Sequence, residues 1–156
     1  MGCDIHLYPE IKINGVWLSA DIWEKHKNAE EGEESYIRPM RFQPATNRNY
    51  RFFGFLANVR NADPTAGVPV ISQPRGFPNY CSSEVLAEAK SWECDAHSHS
   101  YHTKRQLEEA WGLLSSSDRE GMNSSYHEVM SYLWHTQLDF DNFDKDEIRI
   151  VFWFDN

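Results

Sequence analysis

The run Ile148-Arg149-Ile150-Val151-Phe152-Trp153-Phe154 is an almost unbroken series of β-branched and aromatic residues. A half-exposed strand alternates apolar with polar side chains, so a run this apolar predicts a strand covered on both faces at the centre of a sheet. It needs a neighbour along each edge, and the opening of the chain supplies a candidate. Cys3, Ile5, Leu7, Ile11 and Ile13 alternate with Asp4, His6, Tyr8, Glu10 and Lys12, which reads as a strand with one aliphatic side. Asn14-Gly15 follows, ahead of Val16-Trp17-Leu18. That pair predicts a type I′ hairpin, whose central positions both require positive φ. Pairing the hairpin with the closing strand would bring Asp155 near one end of the side carrying Asp4, His6 and Glu10.

Helical spacing fills the middle. Asn47 is a predicted N-cap for a buried helix in which Phe52, Phe55 or Leu56, and Val59 face one way, with Gly54 at a close contact. Ser82 or Ser83 opens a second helix with Val85, Leu86, Ala89 and Trp92 as its stripe. Capping boxes at Thr103 to Gln106 and at Ser125 to Glu128 open two more, the last leaving His127 and His135 on the surface. The segment 61–81, punctuated by Pro and Gly but carrying Val68, Val70, Ile71 and Phe77, predicts an ordered binding loop. The expected fold class is α+β in one domain spanning 1–156: a small, mostly antiparallel sheet pairing the N-terminal hairpin with the C-terminal strand, packed against three to four helices.

Charge narrows the partners. A formal net charge of −9 repels a duplex backbone, so no duplex nucleic acid is expected. Arg38, Arg41, Arg48, Arg51 and Arg60 nevertheless cluster, while acids gather at 29–34 and 139–147. A small anionic or nucleotide ligand therefore remains compatible. No apolar run is long enough to span a bilayer, and Cys3, Cys81 and Cys94 form no disulfide framework. The reading is a cytoplasmic protein without a membrane partner.

The densest chemistry lies in Trp92-Glu93-Cys94-Asp95-Ala96-His97-Ser98-His99-Ser100-Tyr101-His102. An extended backbone would project Asp95, His97 and His99 together, with Ser98 and Ser100 opposite. Joined with Asp4 and His6, these residues predict a site for a divalent metal, Zn2+ or Mn2+. In that reading the chain is a metal-dependent hydrolase or phosphodiesterase acting on a small phosphorylated or nucleotide substrate. Glu10 would act as general base or support the metal ligands from behind, Arg75 beside Gly76 would clamp the anion, and Arg48, Arg60, Ser98 and Ser100 would contact the substrate. The alternative is a non-catalytic binder of a nucleotide signal, which needs only a pocket with Arg and aromatic groups. A third reading uses His97 as base, Asp95 as its orienter and Cys94 or Ser98 as nucleophile. Against all three stands a hydrogen-bonded polar corner with no ligand.

The opening Met1-Gly2-Cys3-Asp4-Ile5-His6, the central Asp95-Ala96-His97-Ser98-His99-Ser100 and the closing Phe152-Trp153-Phe154-Asp155-Asn156 together resemble a group of small phage, prophage and bacterial proteins with the same start and finish. The resemblance spans most of the chain. It implies a phage or bacterial context, within which the nucleotide binder would be an anti-defence sponge, and it assigns no catalytic residue.

Overall fold

The computed structural model describes residues 2–25, 36–37, 47–62, 67–139 and 143–156. Arg38, Arg41 and the acidic stretch 29–34 lie outside them. The main sheet holds β1 (Asp4–Ile13), β2 (Val16–Ser19), β5 (His97–Thr103) and β6 (Ile148–Asp155) in the order β2-β1-β6-β5. Every neighbouring pair is antiparallel. The hairpin pairs with the C-terminal strand as its sequence predicts, and Asp4 lies opposite Asp155. A separate two-stranded ribbon joins β3 (Glu24–Lys25) to β4 (Tyr36–Ile37). The helices are α1 (Tyr50–Ala57), α2 (Ser83–Ser91), α3 (Lys104–Leu113), the single turn α4 (Ser116–Arg119) and α5 (Asn123–Asp139).

The turn chemistry is as read: Asn14 and Gly15 take φ of 50° and 82°, the two positive values that let a hairpin close in two residues. On the aliphatic side of the sheet, Leu7, Ile11, Ile150, Phe152 and Phe154 pack against α1, α3 and α5 through Phe52, Phe55, Leu107, Trp111 and Val129. Trp111 stacks on Tyr126 with ring centroids 3.9 Å apart and planes 4° from parallel. The other side of the sheet is covered too. Tyr8, Val151 and Trp153 are buried beneath Val85 and Ala89 of α2, so the closing strand is enclosed on both faces.

Local signals held unevenly. Thr103 accepts from Gln106 N and the Gln106 side chain accepts from the Thr103 N–H, a complete capping box. Asn49 rather than Asn47 caps α1, its side chain accepting from Phe52 N. α5 begins at Asn123, not at Ser125, because the Ser125 hydroxyl accepts from Asn49 Nδ2 and ties the two helices together instead of starting one. His127 and His135 are exposed. Gly54 is needed where it stands: a Cβ there would lie 2.9 Å from Asn61 Oδ1.

Candidate ligand-binding cleft

Most of the chemistry predicted from sequence gathers at one end of the sheet, where β1 and β5 begin and β6 finishes, but it is split between the two faces. β5 carries a bulge: His97 pairs with Phe154 and Ser100 with Phe152, so one strand spends an extra residue. Ser98, at φ 53°, absorbs it. The consequence corrects the alternation read from sequence. His97 shares the Phe154 side, whereas His99 turns to the opposite face, against Phe77 at 4.3 Å and Trp153 at 6.0 Å between ring centroids. Burial lowers the His99 pKa, with a smaller contribution from the His97 charge.

The remaining predicted ligands have partners of their own. Asp4 is clamped by Arg48 in two bonds, Nε to Oδ1 at 2.7 Å and Nη2 to Oδ2 at 2.8 Å, and that bond holds its pKa below the usual carboxylate range. His6 Nε2 lies 3.0 Å from Asp155 Oδ2, and its ring packs between Trp92 at 4.0 Å and Trp153 at 5.8 Å. Asp95 is exposed on the single 3-10 turn Glu93–Asp95 that precedes β5. Two strand spacings, about 10 Å, separate the β1 and β5 backbones. Among the described residues no group of three or more His, Cys, Asp or Glu side chains is placed to hold a metal ion. The set expected for Zn2+ or Mn2+, namely Asp4, His6, Asp95, His97 and His99, is therefore dispersed.

Glu10 and Arg75 do different work from that predicted. Glu10 is fully buried; its Oε1 accepts from Ser82 N at 2.6 Å and from the Cys81 thiol at 3.3 Å, and its Oε2 from Arg149 Nε at 2.7 Å. Ser82, the N-cap of α2, makes no side-chain cap bond, so a carboxylate from β1 caps that helix and meets the positive end of its dipole. With both oxygens occupied in the interior, Glu10 has no route to a substrate proton. Burial, reinforced by the Glu10 charge, pushes the Cys81 thiol pKa well up. Arg75 spans Tyr101 O and Gln106 Oε1 at 3.3 and 3.2 Å and lies over the Tyr101 ring, while its N–H donates to Ser100 Oγ. Arg75 and Ser100 thus fasten the 67–82 segment to the edge of β5.

Arg60, His97 and Ser98 do meet. They line an open cleft of about 380 Å3 together with Asn58, Gln73 and Asn156. The polarity of this cleft is set from the backbone outward. Asn61 Oδ1 accepts from Val68 N, and its Nδ2 donates to Val68 O, which fixes which way round that amide sits. The same Nδ2 donates to Asn58 Oδ1, and Asn58 Nδ2 in turn donates to Gln73 Oε1 at 3.2 Å. Acceptors are consumed at each step, and the Gln73 amide N–H2 is what remains for the cleft. Asn156 Oδ1 is likewise taken, by Arg60 Nη2 at 3.0 Å. His97 Nδ1 shares a 2.9 Å bond with Ser98 Oγ, and His97 Nε2 is buried without a hydrogen-bond partner.

Electrostatics agree with that donor surplus. The C-terminal end of α1 faces this region, and its carbonyls would repel an anion. Three of them already accept: Gly54 O from Asn58 N, Phe55 O from Ile71 N and Leu56 O from His102 Nε2, each at 2.8 Å. The nearby carboxylates Asp4 and Asp155 are engaged by Arg48 and His6. Arg60 also hydrogen-bonds the buried Cys3 thiol, which offsets part of the upward pKa shift that burial imposes there. Asn58, Arg60 and Ser98 all take left-handed backbone angles, φ 60°, 56° and 53°. Such conformations cost about 1 kcal/mol or more in a residue with a Cβ and collect where a site is shaped for a ligand.

Asn58, Gln73 and Asn156 were missed in the sequence; Asn58 had a visible signal, since Asn directly after a helix favours the left-handed cap. No family model, curated protein or solved structure matches the chain. Among the described residues no helix is long and apolar enough to cross a membrane.

Proposed function

We propose that this protein binds a small anionic ligand, phosphate-bearing and of nucleotide type, in the Arg60, Gln73 and His97 cleft. The observation that carries the reading is the hydrogen-bond chain from Val68 through Asn61 and Asn58 to Gln73, which uses up amide acceptors and leaves donors facing the ligand beside a guanidinium. Phosphate oxygens are acceptors only, so they match such a surface. The dispersal of Asp4, His6, Asp95 and His99 away from His97 favours binding over metal-dependent hydrolysis. In the phage context implied by its termini, the protein would act as a sponge that withdraws a nucleotide signal.

Calorimetric titration with inorganic phosphate and with nucleoside mono- and triphosphates tests the proposal. One-to-one binding should weaken by about 10- to 150-fold in Arg60→Gln, the range given by a lost hydrogen bond to a charged group. It should weaken further as salt rises. Heat-silent titrations with every phosphate compound would remove the reading.

A further inference from the structure

Given the anion-binding reading on which this rests, we infer that the cleft takes a phosphodiester, the singly charged linkage of a cyclic mononucleotide or a dinucleotide, in preference to a terminal mono-, di- or triphosphate. Charge decides the choice. Among the described residues lining the cleft, Arg60 is the only Lys, Arg, Asp or Glu side chain. Its guanidinium is held at one point: Nη2 donates to Asn156 Oδ1 at 3.0 Å, and Cζ lies 5.8 Å from the centre of the Tyr50 ring. Beside the cleft, Arg48 is bound to Asp4 and His6 to Asp155. Arg75, although next in sequence to Pro74, turns away to Tyr101 O and Gln106 Oε1. Among the described residues, a second phosphate group would therefore meet no further guanidinium or ammonium in the cleft.

A diester also matches the donors. It has two non-bridging oxygens, which only accept, and Arg60 and the Gln73 amide N–H2 supply one donor group for each. Its phosphorus carries an ester arm on two sides, and because the cleft is open to solvent neither arm has to be enclosed.

Every charge after the first is opposed by the molecule as a whole. A diester bears a single negative charge, a monoester about 1.5 to 2 at pH 7, and each further phosphate adds at least one more. The first is offset by direct contact with Arg60. The rest feel a net charge of −9 from about 15 Å, the radius of gyration expected at this length. In water that weakens binding by about tenfold per added charge at ~10 mM salt, where the Debye length is about 30 Å, and by about twofold at ~0.15 M.

Calorimetric titration of the full chain at both salt concentrations tests this with ligands of rising charge and constant base. Each series holds the cyclic mononucleotide, the dinucleoside monophosphate, and the nucleoside mono-, di- and triphosphate, with adenine in one series and uracil in the other. Both diesters should bind most tightly, with affinity dropping by about tenfold per charge at ~10 mM salt and about twofold at ~0.15 M. Whichever diester binds more tightly names the source of the linkage. Pro74 is exposed on the rim of the cleft; Pro74→Arg, which adds a second guanidinium there, should strengthen the triphosphate more than either diester. Affinity that stays level or rises with charge at ~10 mM salt overturns the diester assignment and leaves the anion site in place. A Pro74→Arg variant that favours the diesters still more does the same. Silence with every ligand of both series removes the anion site as well.

Discussion

Replacing Glu10 with Ala probes the deepest electrostatic element of the fold. Glu10 and Arg149 are both buried, 0% and 4% exposed, and their closest approach is 2.6 Å. The guanidinium is further held by the Tyr80 carbonyl and lies 3.8 Å over the Trp17 ring, so it cannot swing into water without disturbing β2. Breaking one side of a buried pair costs about 3–5 kcal/mol, because the surviving charge is stranded. Loss of the acceptor for Ser82 N and the Cys81 thiol adds about 1–3 kcal/mol. Against a total stability of about 5–15 kcal/mol, Glu10→Ala should leave the protein marginal or unfolded. Urea denaturation followed by tryptophan fluorescence reads this directly, Trp153 lying beneath α2. Glu10→Leu combined with Arg149→Met, which removes both charges, should recover most of the loss. An unfolding free energy for Glu10→Ala within about 1 kcal/mol of wild type would refute the view that this carboxylate caps α2 and neutralises Arg149.

Two further outcomes follow from named contacts. Burial lowers the His102 pKa from 6.5 to about 4, and the unfolded chain takes up the proton first. Stability is therefore complete above about pH 6.5 and falls by about 1.4 kcal/mol per pH unit down to about pH 4, roughly 3 kcal/mol in all; unfolding free energies of wild type and His102→Asn from urea curves between pH 7 and 4 should diverge by that amount, the wild type losing more. Gly54→Ala gains about 1 kcal/mol of helix propensity but drives a Cβ to 2.9 Å from Asn61, whose amide is pinned to the Val68 backbone. Overpacking of about 1–3 kcal/mol should win, lowering the melting temperature and shifting the Asn58 and Gln73 amide resonances.

The sequence was most legible where apolar pattern alone decides. Ile148 to Phe154 announced an enclosed strand, and the Cys3 to Ile13 alternation with Asn14-Gly15 announced its hairpin neighbour. Glu10 defeated the same logic. Alternation says only that Tyr8 and Glu10 lie opposite the aliphatic side, and whether that side meets water depends on α2 folding back over it from some seventy residues downstream. The His-rich strand misled for a local reason. Ser98 bears no mark of the left-handed conformation it adopts, and one bulged residue moves His99 to the other face. The Val68, Asn61, Asn58 and Gln73 chain is longer in sequence than any local motif, so only assembled coordinates could show which way its amides point.

The central claim is that the cleft presents donors to an anion, and reversing one donor tests it most directly. Backbone amide shifts of the wild type, Gln73→Glu and Arg105→Ala, the last losing a guanidinium that pairs with Asp144 and Asp146 and does not line the cleft, should be followed by NMR during titration with a nucleoside triphosphate. The account predicts saturable shifts centred on Asn58, Arg60, Gln73, His97 and Ser98, abolished in Gln73→Glu, where a carboxylate replaces the amide N–H2, and retained in Arg105→Ala. Binding that survives Gln73→Glu, or that disappears in Arg105→Ala with the fold intact, would contradict it.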